Sequence, residues 1–170
     1  MSYGLVKLVE QYRSLSLARS NAAREDEQMA TTVSRRWADV KQGDALDAVT
    51  FPLGMRNMII DAAGTRDLNP IHHDREFAQR NNARDIFVNT MFYDALFGRI
   101  VTDWGGPDAM LRRLKFTMRA PNYVGDTITS RGWVTRTYEQ DGEHLVDVEI
   151  HLDNATVASA TVAEMTVELV

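Results

Sequence analysis

The sequence contains no cysteine, which excludes disulfide bonds and a thiol nucleophile within this chain. It also lacks any apolar run near the roughly 18 residues that a membrane-spanning helix needs. Basic residues are in the minority, and the net charge of −5 argues against nucleic acid as the main partner. Near the N-terminus, Glu10, Gln11 and Arg13 interrupt the apolar stretch before it reaches the length of a secretion signal. We therefore expect a cytoplasmic protein that binds neither nucleic acid nor membrane.

The composition that remains is ordinary for a globular protein, with 44% apolar and 25% charged residues. A chain of 170 residues is long enough for one domain with its own core. Residues 1–40 are predicted to form a helical extension, because apolar residues recur there at helical spacing. Such a helix either docks on or covers a neighbouring site, or it shields apolar surface of this domain or of a partner. Residues 41–170 form the predicted main domain.

The main domain begins with a predicted strand followed by helices. Asp44–Leu53 alternates loosely as a strand, with Pro52 at an edge or at the strand's end. Helical spacing predicts helices over Met55–Ala63 and Phe87–Val101. The second helix carries apolar residues around most of its circumference, so we expect burial on nearly all sides. Trp104-Gly105-Gly106-Pro107 is predicted to end it.

The rest of the chain is predicted to be strands. Leu114, Phe116 and Met118 alternate with polar residues, which indicates one buried and one wetter face. Three further strands are predicted, separated by turns rich in Gly, Asp and Asn: Thr127–Tyr138, Leu145–Leu152 and Thr156–Val170. Strands this closely spaced favour an antiparallel meander. The order of elements, one strand, then helices, then a run of strands, predicts the α+β class.

The most specific feature of the chain is Asp67-Leu68-Asn69-Pro70-Ile71-His72. Asn-Pro forces an extended or turn backbone, and a tight loop aims Asp67 and His72 at one point. The pattern Asp-x-Asn-Pro-x-His occurs by chance in roughly one chain of this length in a few thousand. Taken alone, the segment could equally be a purely structural turn. In such a turn the Asp and Asn side chains form hydrogen bonds with the nearby backbone, and the histidine caps the next helix.

This hexapeptide resembles the signature of the MaoC-like, R-specific enoyl-CoA hydratases of the hotdog superfamily. Ile59–Gly64 is similar to the helix end that leads into the family's loop, and Phe77-Ala78 stands where the family has a small apolar contact. Leu114–Pro121 and Val124–Thr127 are similar to the family's strand, break and turn. The resemblance covers roughly Ala38–Val170. It implies a single hotdog fold, an antiparallel sheet wrapped around a long central helix.

The resemblance also implies a reaction, the interconversion of a trans-2-enoyl thioester and a (3R)-3-hydroxyacyl thioester. Asp67 and His72 would be the acid–base pair around one water, and Asn69 would bond the loop or orient that water. The family's central helix begins with His-Gly, whose glycine N–H contributes to the oxyanion hole. Asn89-Thr90 stands there in this chain, so the Thr90 N–H is expected to take that role. The Thr90 side chain fills space that glycine leaves, which points to an unusual or bulky acyl group.

Neither a cofactor nor a metal site is predicted. Adjacent histidines in His72-His73-Asp74 point in different directions, and no third ligand lies at a zinc-like spacing. Asp74 is expected to cap the next helix. An acyl-CoA substrate carries phosphates, which a short basic cluster is predicted to bind unless it is only a solvated strand face: Arg112, Arg113 and Lys115.

Single hotdog domains of this family pair, so a homodimer or a hetero-oligomer with another hotdog chain is expected. One alternative function is a subunit that contributes structure or acyl-chain space to a second MaoC-like chain. Another is a hotdog thioesterase, whose chemistry uses a carboxylate elsewhere on the fold and generally lacks Asp-x-Asn-Pro-x-His.

Overall fold

The structure of the protein, a computed structural model, describes residues 33–170. The predicted helical extension over residues 1–40 therefore lies outside the described residues for nearly all of its length, and the boundary at residue 40 stays a prediction. Residues 34–170 form one unit. It opens with a 3₁₀ turn at Trp37–Asp39.

Three α-helices follow the loosely structured start of this unit, and their ends follow from local chemistry. Helix α1 spans Met55–Thr65 and ends at Arg66, which adopts the left-handed conformation typical of helix C-termini. Helix α2 spans Arg75–Arg80. Helix α3 spans Thr90–Gly105 and ends at Gly106, whose φ of 88° suits glycine. No helix among residues 33–170 is long and apolar enough to cross a membrane.

Helix α3 differs from its prediction in two ways. It begins at Thr90 and not at the predicted Phe87. Phe87 lies before the helix and forms an isolated β-bridge with Tyr123. The expectation of burial on nearly all sides is also wrong for this chain. One face packs inward, including Phe97 and Ile100, whereas the opposite face, including Met91, is exposed. Apolar residues occur on both faces, and this distribution produced the incorrect expectation.

The strands of residues 33–170 form one six-stranded sheet in the order β1-β4-β5-β6-β3, with β2 also paired to β4. All of its pairings are antiparallel. The strands are β1 Ala45–Leu46, β2 Thr50–Pro52, β3 Met110–Met118, β4 Thr127–Gln140, β5 Glu143–Asp153 and β6 Thr161–Glu168. The strand predicted over Asp44–Leu53 is thus two short strands, and Pro52 does end the second.

The predicted meander holds only for β4, β5 and β6. Strand β3 pairs with β6 at the far edge of the sheet instead of with β4, the next strand in sequence. Strand β6 begins at Thr161, five residues later than expected, because Asp153–Ser159 forms the turn before it. The α+β class is confirmed. The consequence for the site is that β3, paired only with β6, forms one edge of the sheet.

The core lies between one face of the sheet and the inner face of α3. Alternate residues of β5, including Val148, Ile150 and Leu152, are almost fully buried. They pack in one cluster with Phe97 and Ile100 of α3. Burial of this kind contributes about 1.5–3 kcal/mol for each large aliphatic side chain. It fixes α3 against the sheet and so fixes the position of the helix's first residues.

Candidate active site

The loop that carries Asp67 and His72 is shaped by its own side chains. After Arg66 ends α1, the backbone N–H of Asn69 donates to Oδ1 of Asp67 at 3.3 Å. The Asn69 side-chain oxygen accepts from the N–H of Ile71 at 3.2 Å and caps a 3₁₀ turn over Pro70–His72. Pro70 at the start of this turn has no N–H to leave unpaired. Asn69 therefore orders the loop.

The loop brings Asp67 and His72 together, as the sequence predicts. Nε2 of His72 lies 3.3 Å from Oδ2 of Asp67. On the other side of the ring, Nδ1 donates to the carbonyl oxygen of Phe87 at 2.8 Å, since a carbonyl can only accept. The His72 side chain is 10% exposed and that of Asp67 is 27% exposed. Nε2 is therefore the ring nitrogen that faces the carboxylate and is available to exchange a proton.

The pair opens into a cavity of about 250 Å³. Its wall comes from the Asp67–His72 loop, the start of α3 and the end of β3. The eleven lining residues are Asp67, His72, Phe87, Val88, Asn89, Thr90, Tyr93, Met118, Arg119, Ala120 and Pro121. More of the exposed wall is apolar than polar, which is typical of a pocket for an organic ligand.

Thr90 is the first residue of α3 and lines the cavity. The N–H groups at the start of a helix have no intrahelical partner, and the helix dipole makes this end favourable for negative charge. Asn89 caps the helix, because its side-chain oxygen accepts from the N–H of Phe92 at 2.9 Å. Its amide donates to the hydroxyl of Thr65 at 2.7 Å. Asn89 thereby ties the end of α1 to the start of α3.

Asp61 is a second acid near the pair, and the sequence did not single it out. Its carboxylate accepts from the backbone N–H of Asn89 at 3.5 Å, a long hydrogen bond. Burial raises the pKa of Asp61, and the neighbouring Asp67 raises it further, while the Asn89 N–H and His72 act in the opposite direction. No sequence signal marks Asp61, because its position beside the pair depends on the packing of α1 against α3.

Tyr93 is a second residue that sequence reasoning missed. It lies one turn after Thr90, is almost fully buried and still lines the cavity. Its hydroxyl accepts from the side-chain amide of Asn122 at 2.9 Å. Burial raises the pKa of Tyr93, so the hydroxyl keeps its proton. The helical spacing from Thr90 was the signal that could have identified it.

The predicted phosphate-binding cluster does not reach this cavity. Arg112 is paired with Glu143 and Glu168, and Lys115 lies 3.8 Å from Glu164. Arg113 is also exposed on β3 and is absent from the cavity wall. The cluster lies along the exposed part of the strand, and only the end of β3 contributes to the cavity wall, so the phosphate-binding role of the cluster stays a prediction. Arg119 is the basic residue found there.

The neighbouring residues His73 and Asp74 stand outside the cavity wall. Asp74 caps α2 by accepting from the N–H of Phe77 at 3.0 Å, which confirms the expected capping role. His73 contacts the carbonyl oxygen of Leu68. Chemically, the cavity thus combines one carboxylate, one imidazole and the first residue of helix α3. This set can move protons and stabilise negative charge on an oxygen.

Comparison with known proteins supports the resemblance found in the sequence. Residues 37–160 match the family model described as MaoC like domain. Over 78 residues, the chain is 40% identical to the 3-oxo-4,17-pregnadiene-20-carboxyl-CoA hydratase beta subunit of Mycobacterium tuberculosis. That match covers 46% of this chain and 60% of the relative, so it spans less than two thirds of the relative's length.

Solved structures show the same fold. A chain in the crystal structure of the ChsH1-ChsH2 complex from Mycobacterium tuberculosis matches with a TM-score of 0.70 and 30% identity, covering 76% of this chain and 98% of that one. The (R)-hydratase of A. caviae involved in PHA biosynthesis matches with a TM-score of 0.70 and 21% identity, covering 78% and 98%. These matches confirm the predicted single hotdog fold. The family model covers most of the chain, and the chain therefore belongs to the MaoC-like domain family.

Proposed function

We propose that the protein is a hydratase that interconverts a trans-2-enoyl thioester and a (3R)-3-hydroxyacyl thioester. The observation that carries this proposal is the contact of 3.3 Å between Nε2 of His72 and Oδ2 of Asp67. Both residues line a cavity whose wall also includes the start of α3. Family membership and the relative named as a hydratase support it.

In the proposed reaction, Asp67 and His72 act on one water at the cavity side of the pair. The Asp67 carboxylate takes a proton from this water as its oxygen forms a bond to C3 of the enoyl group. The protonated His72 gives its Nε2 proton to C2. Asp67 then returns its proton to Nε2 across their contact, so each turnover adds one water and leaves the pair unchanged. Catalysis by such a positioned pair contributes about 10²–10⁴ in rate.

The Thr90 N–H stabilises the thioester oxygen, on which negative charge gathers as water adds. A backbone donor remains with any residue except proline, so threonine can replace glycine in this role. The Thr90 side chain restricts the path of the acyl group, and Tyr93 limits the depth of the cavity. The apolar part of the cavity wall, which includes Met118, is the surface left for the acyl group to contact.

We further propose that a second hotdog chain completes the site for a bulky acyl group. A cavity of about 250 Å³ is small for an acyl thioester, since pockets for drug-sized ligands have about 300–1,000 Å³. Leu68 and Met91, next in sequence to the lining residues Asp67 and Thr90, are 71% and 40% exposed. The relative named as a beta subunit, which acts on a pregnadiene-carboxyl thioester, and the ChsH1-ChsH2 complex support a partner of this kind. The partner is either a second copy of this chain or a different hotdog chain.

The test is the loss of enoyl-thioester ultraviolet absorbance with a short and a bulky enoyl-CoA. Asp67→Asn and His72→Gln are expected to lower kcat by about 10²–10⁴. Asp74→Asn and His73→Gln are matched controls, because they make the same changes outside the cavity, and both should retain wild-type turnover. Near-normal turnover in folded Asp67→Asn and His72→Gln would exclude this assignment.

Two accompanying measurements separate the alternatives. The mass of the purified chain by size-exclusion chromatography with light scattering distinguishes a stable homo-oligomer from a chain that needs a partner. Release of free coenzyme A from the enoyl-CoA, followed with a thiol reagent, would indicate a thioesterase instead. A folded chain that is inactive alone and active with a second hotdog chain supports the heteromeric form of the proposal.

A further inference from the structure

Arg119 stands at the junction between the catalytic cavity and a second groove. It is the basic residue among the eleven that line the cavity of Asp67 and His72. It also lines an adjoining groove of about 140 Å³, whose other walls come from β3 and β6 and include Lys115 and Glu164. A ligand that extends from the cavity into this groove passes Arg119, because this residue lines both.

The backbone of Arg119 is fixed although the residue follows the last position of β3. The N–H groups of Arg119 and Ala120 both donate to the carbonyl oxygen of Ala160, at 2.8 and 3.1 Å. The base of the Arg119 side chain is therefore held in place. Only the long side chain itself has freedom to adjust to a ligand.

Among residues 33–170, no acidic side chain neutralises the charge of Arg119. The basic residues Arg112 and Lys115 of the same strand contact carboxylates. Within the part of the chain that the structure describes, no carboxylate lies within 4.0 Å of the Arg119 guanidinium. In the groove, the carboxylate of Glu164 is paired with Lys115. An anion that enters the groove can therefore pair with the Arg119 guanidinium, while the carboxylate of Glu164 is paired with Lys115.

We infer that Arg119 binds a phosphate of the carrier that presents the acyl thioester, an inference that rests on the proposed hydratase function. A thioester carrier of this type, coenzyme A or the phosphopantetheine of a carrier protein, bears phosphate at the far end of a pantetheine arm. With the thioester beside His72, the arm must leave the cavity, and Arg119 lies at the exit toward the groove. A guanidinium forms paired hydrogen bonds with phosphate oxygens.

The test compares Arg119→Gln with wild type on thioesters of one enoyl group that differ only in the carrier. For the coenzyme A or carrier-protein thioester, kcat/KM is expected to fall about 10- to 100-fold, mainly through KM. The N-acetylcysteamine thioester has no phosphate, so its kcat/KM should not change. Arg113→Gln is the matched control, since it removes an exposed arginine of β3 outside the cavity, and it should leave all three substrates unaffected.

The substrate that shows the loss identifies the source of the phosphate, and a loss on either phosphate-bearing carrier supports the inference. An equal loss on the N-acetylcysteamine thioester would overturn it, because Arg119 would then contact the acyl or thioester part. Unchanged kinetics on all three would overturn it as well. If wild type turns over none of them, calorimetric binding of free coenzyme A still decides. Weaker binding by Arg119→Gln supports the phosphate contact even where the chain alone shows no hydratase activity, and equal binding overturns the inference.

Discussion

At the scale of single residues, the role of Thr90 depends on a backbone atom, and proline can remove that atom selectively. Proline is well tolerated at the first position of a helix. Asn89 before it already has extended dihedrals of −81° and 177°, which the residue before a proline prefers. We expect Thr90→Pro to fold normally and to lower kcat by about 10²–10³, the loss seen when one oxyanion donor is removed. Steady-state kinetics and circular dichroism measure the two effects.

Thr90→Ala is the control for this substitution, because it shortens the side chain and keeps the N–H. It should retain kcat for a short enoyl thioester. A folded Thr90→Pro protein with wild-type kcat would exclude the Thr90 N–H from the oxyanion site.

Asp61 gives a prediction about pH and stability. Because burial raises its pKa in the folded state, the folded protein holds this proton over a pH range in which the unfolded chain has released it. The free energy of unfolding should therefore decrease as the pH rises from the ordinary carboxyl pKa to the raised one. Asp61→Asn should lack this decrease, so its stability relative to wild type should increase with pH across the same window.

Chemical denaturation at a series of pH values measures the effect. Asp94→Asn, which changes an exposed acid of α3, should follow wild type at every pH. Parallel stability curves for wild type and Asp61→Asn would contradict the raised pKa of Asp61.

The residues of the site differ in how far the sequence could predict them. Asp67 and His72 were predictable because the loop between them is shaped locally, by the hydrogen bonds of Asn69 and the restricted backbone of Pro70. Asp61 was not predictable in the same way, since its position beside the pair comes from helix packing. The binding role assigned to the Arg112 cluster stays a prediction, and its position outside the cavity wall was not predictable because charge pattern does not indicate which part of a strand borders a cavity.

At the scale of elements, the start of α3 is held by Asn89. Asn89→Ala removes the cap on the Phe92 N–H and the donor to Thr65 from a nearly fully buried position. We expect the free energy of unfolding to fall by about 1–2 kcal/mol. Urea denaturation measures this change. We also expect lower kcat, because the Thr90 N–H would be less firmly placed.

Asn89→Ser separates the two contributions of Asn89. Serine keeps an oxygen for the Phe92 N–H and lacks the amide that donates to Thr65, so its stability should lie between wild type and Asn89→Ala. An Asn89→Ala protein as stable and as active as wild type would refute the anchoring role.

Element boundaries were less predictable than the elements themselves. Helix α1 and strands β4 and β5 were found near their predicted bounds because their periodic patterns are long and bounded by clear turns. The start of α3 was misplaced because Phe87 is apolar like the helix that follows, and only the Asn89 cap marks the true start. The pairing of β3 with β6 was missed because strand order depends on contacts distant in sequence.

At the scale of the whole molecule, the sheet and α3 place one polar loop, one helix end and one strand end around a single cavity. The core residues of β5 and α3 fix this arrangement, and the proposed acid–base and oxyanion groups belong to the loop and to the helix end. Leu68 and Met91 are exposed apolar residues beside the cavity. The proposed partner chain would cover them, so their role concerns the assembly of the whole molecule.

The central claim is that Asp67 and His72 add water to the acyl group and leave the thioester intact. Mass spectrometry of an enoyl-CoA incubated with the protein in ¹⁸O-labelled water tests it most directly. The account predicts an intact acyl-CoA that has gained one labelled water, with the label in the hydroxyl at C3, and little gain with Asp67→Asn. Label in a released free acid, or an equal gain with Asp67→Asn, would contradict the account.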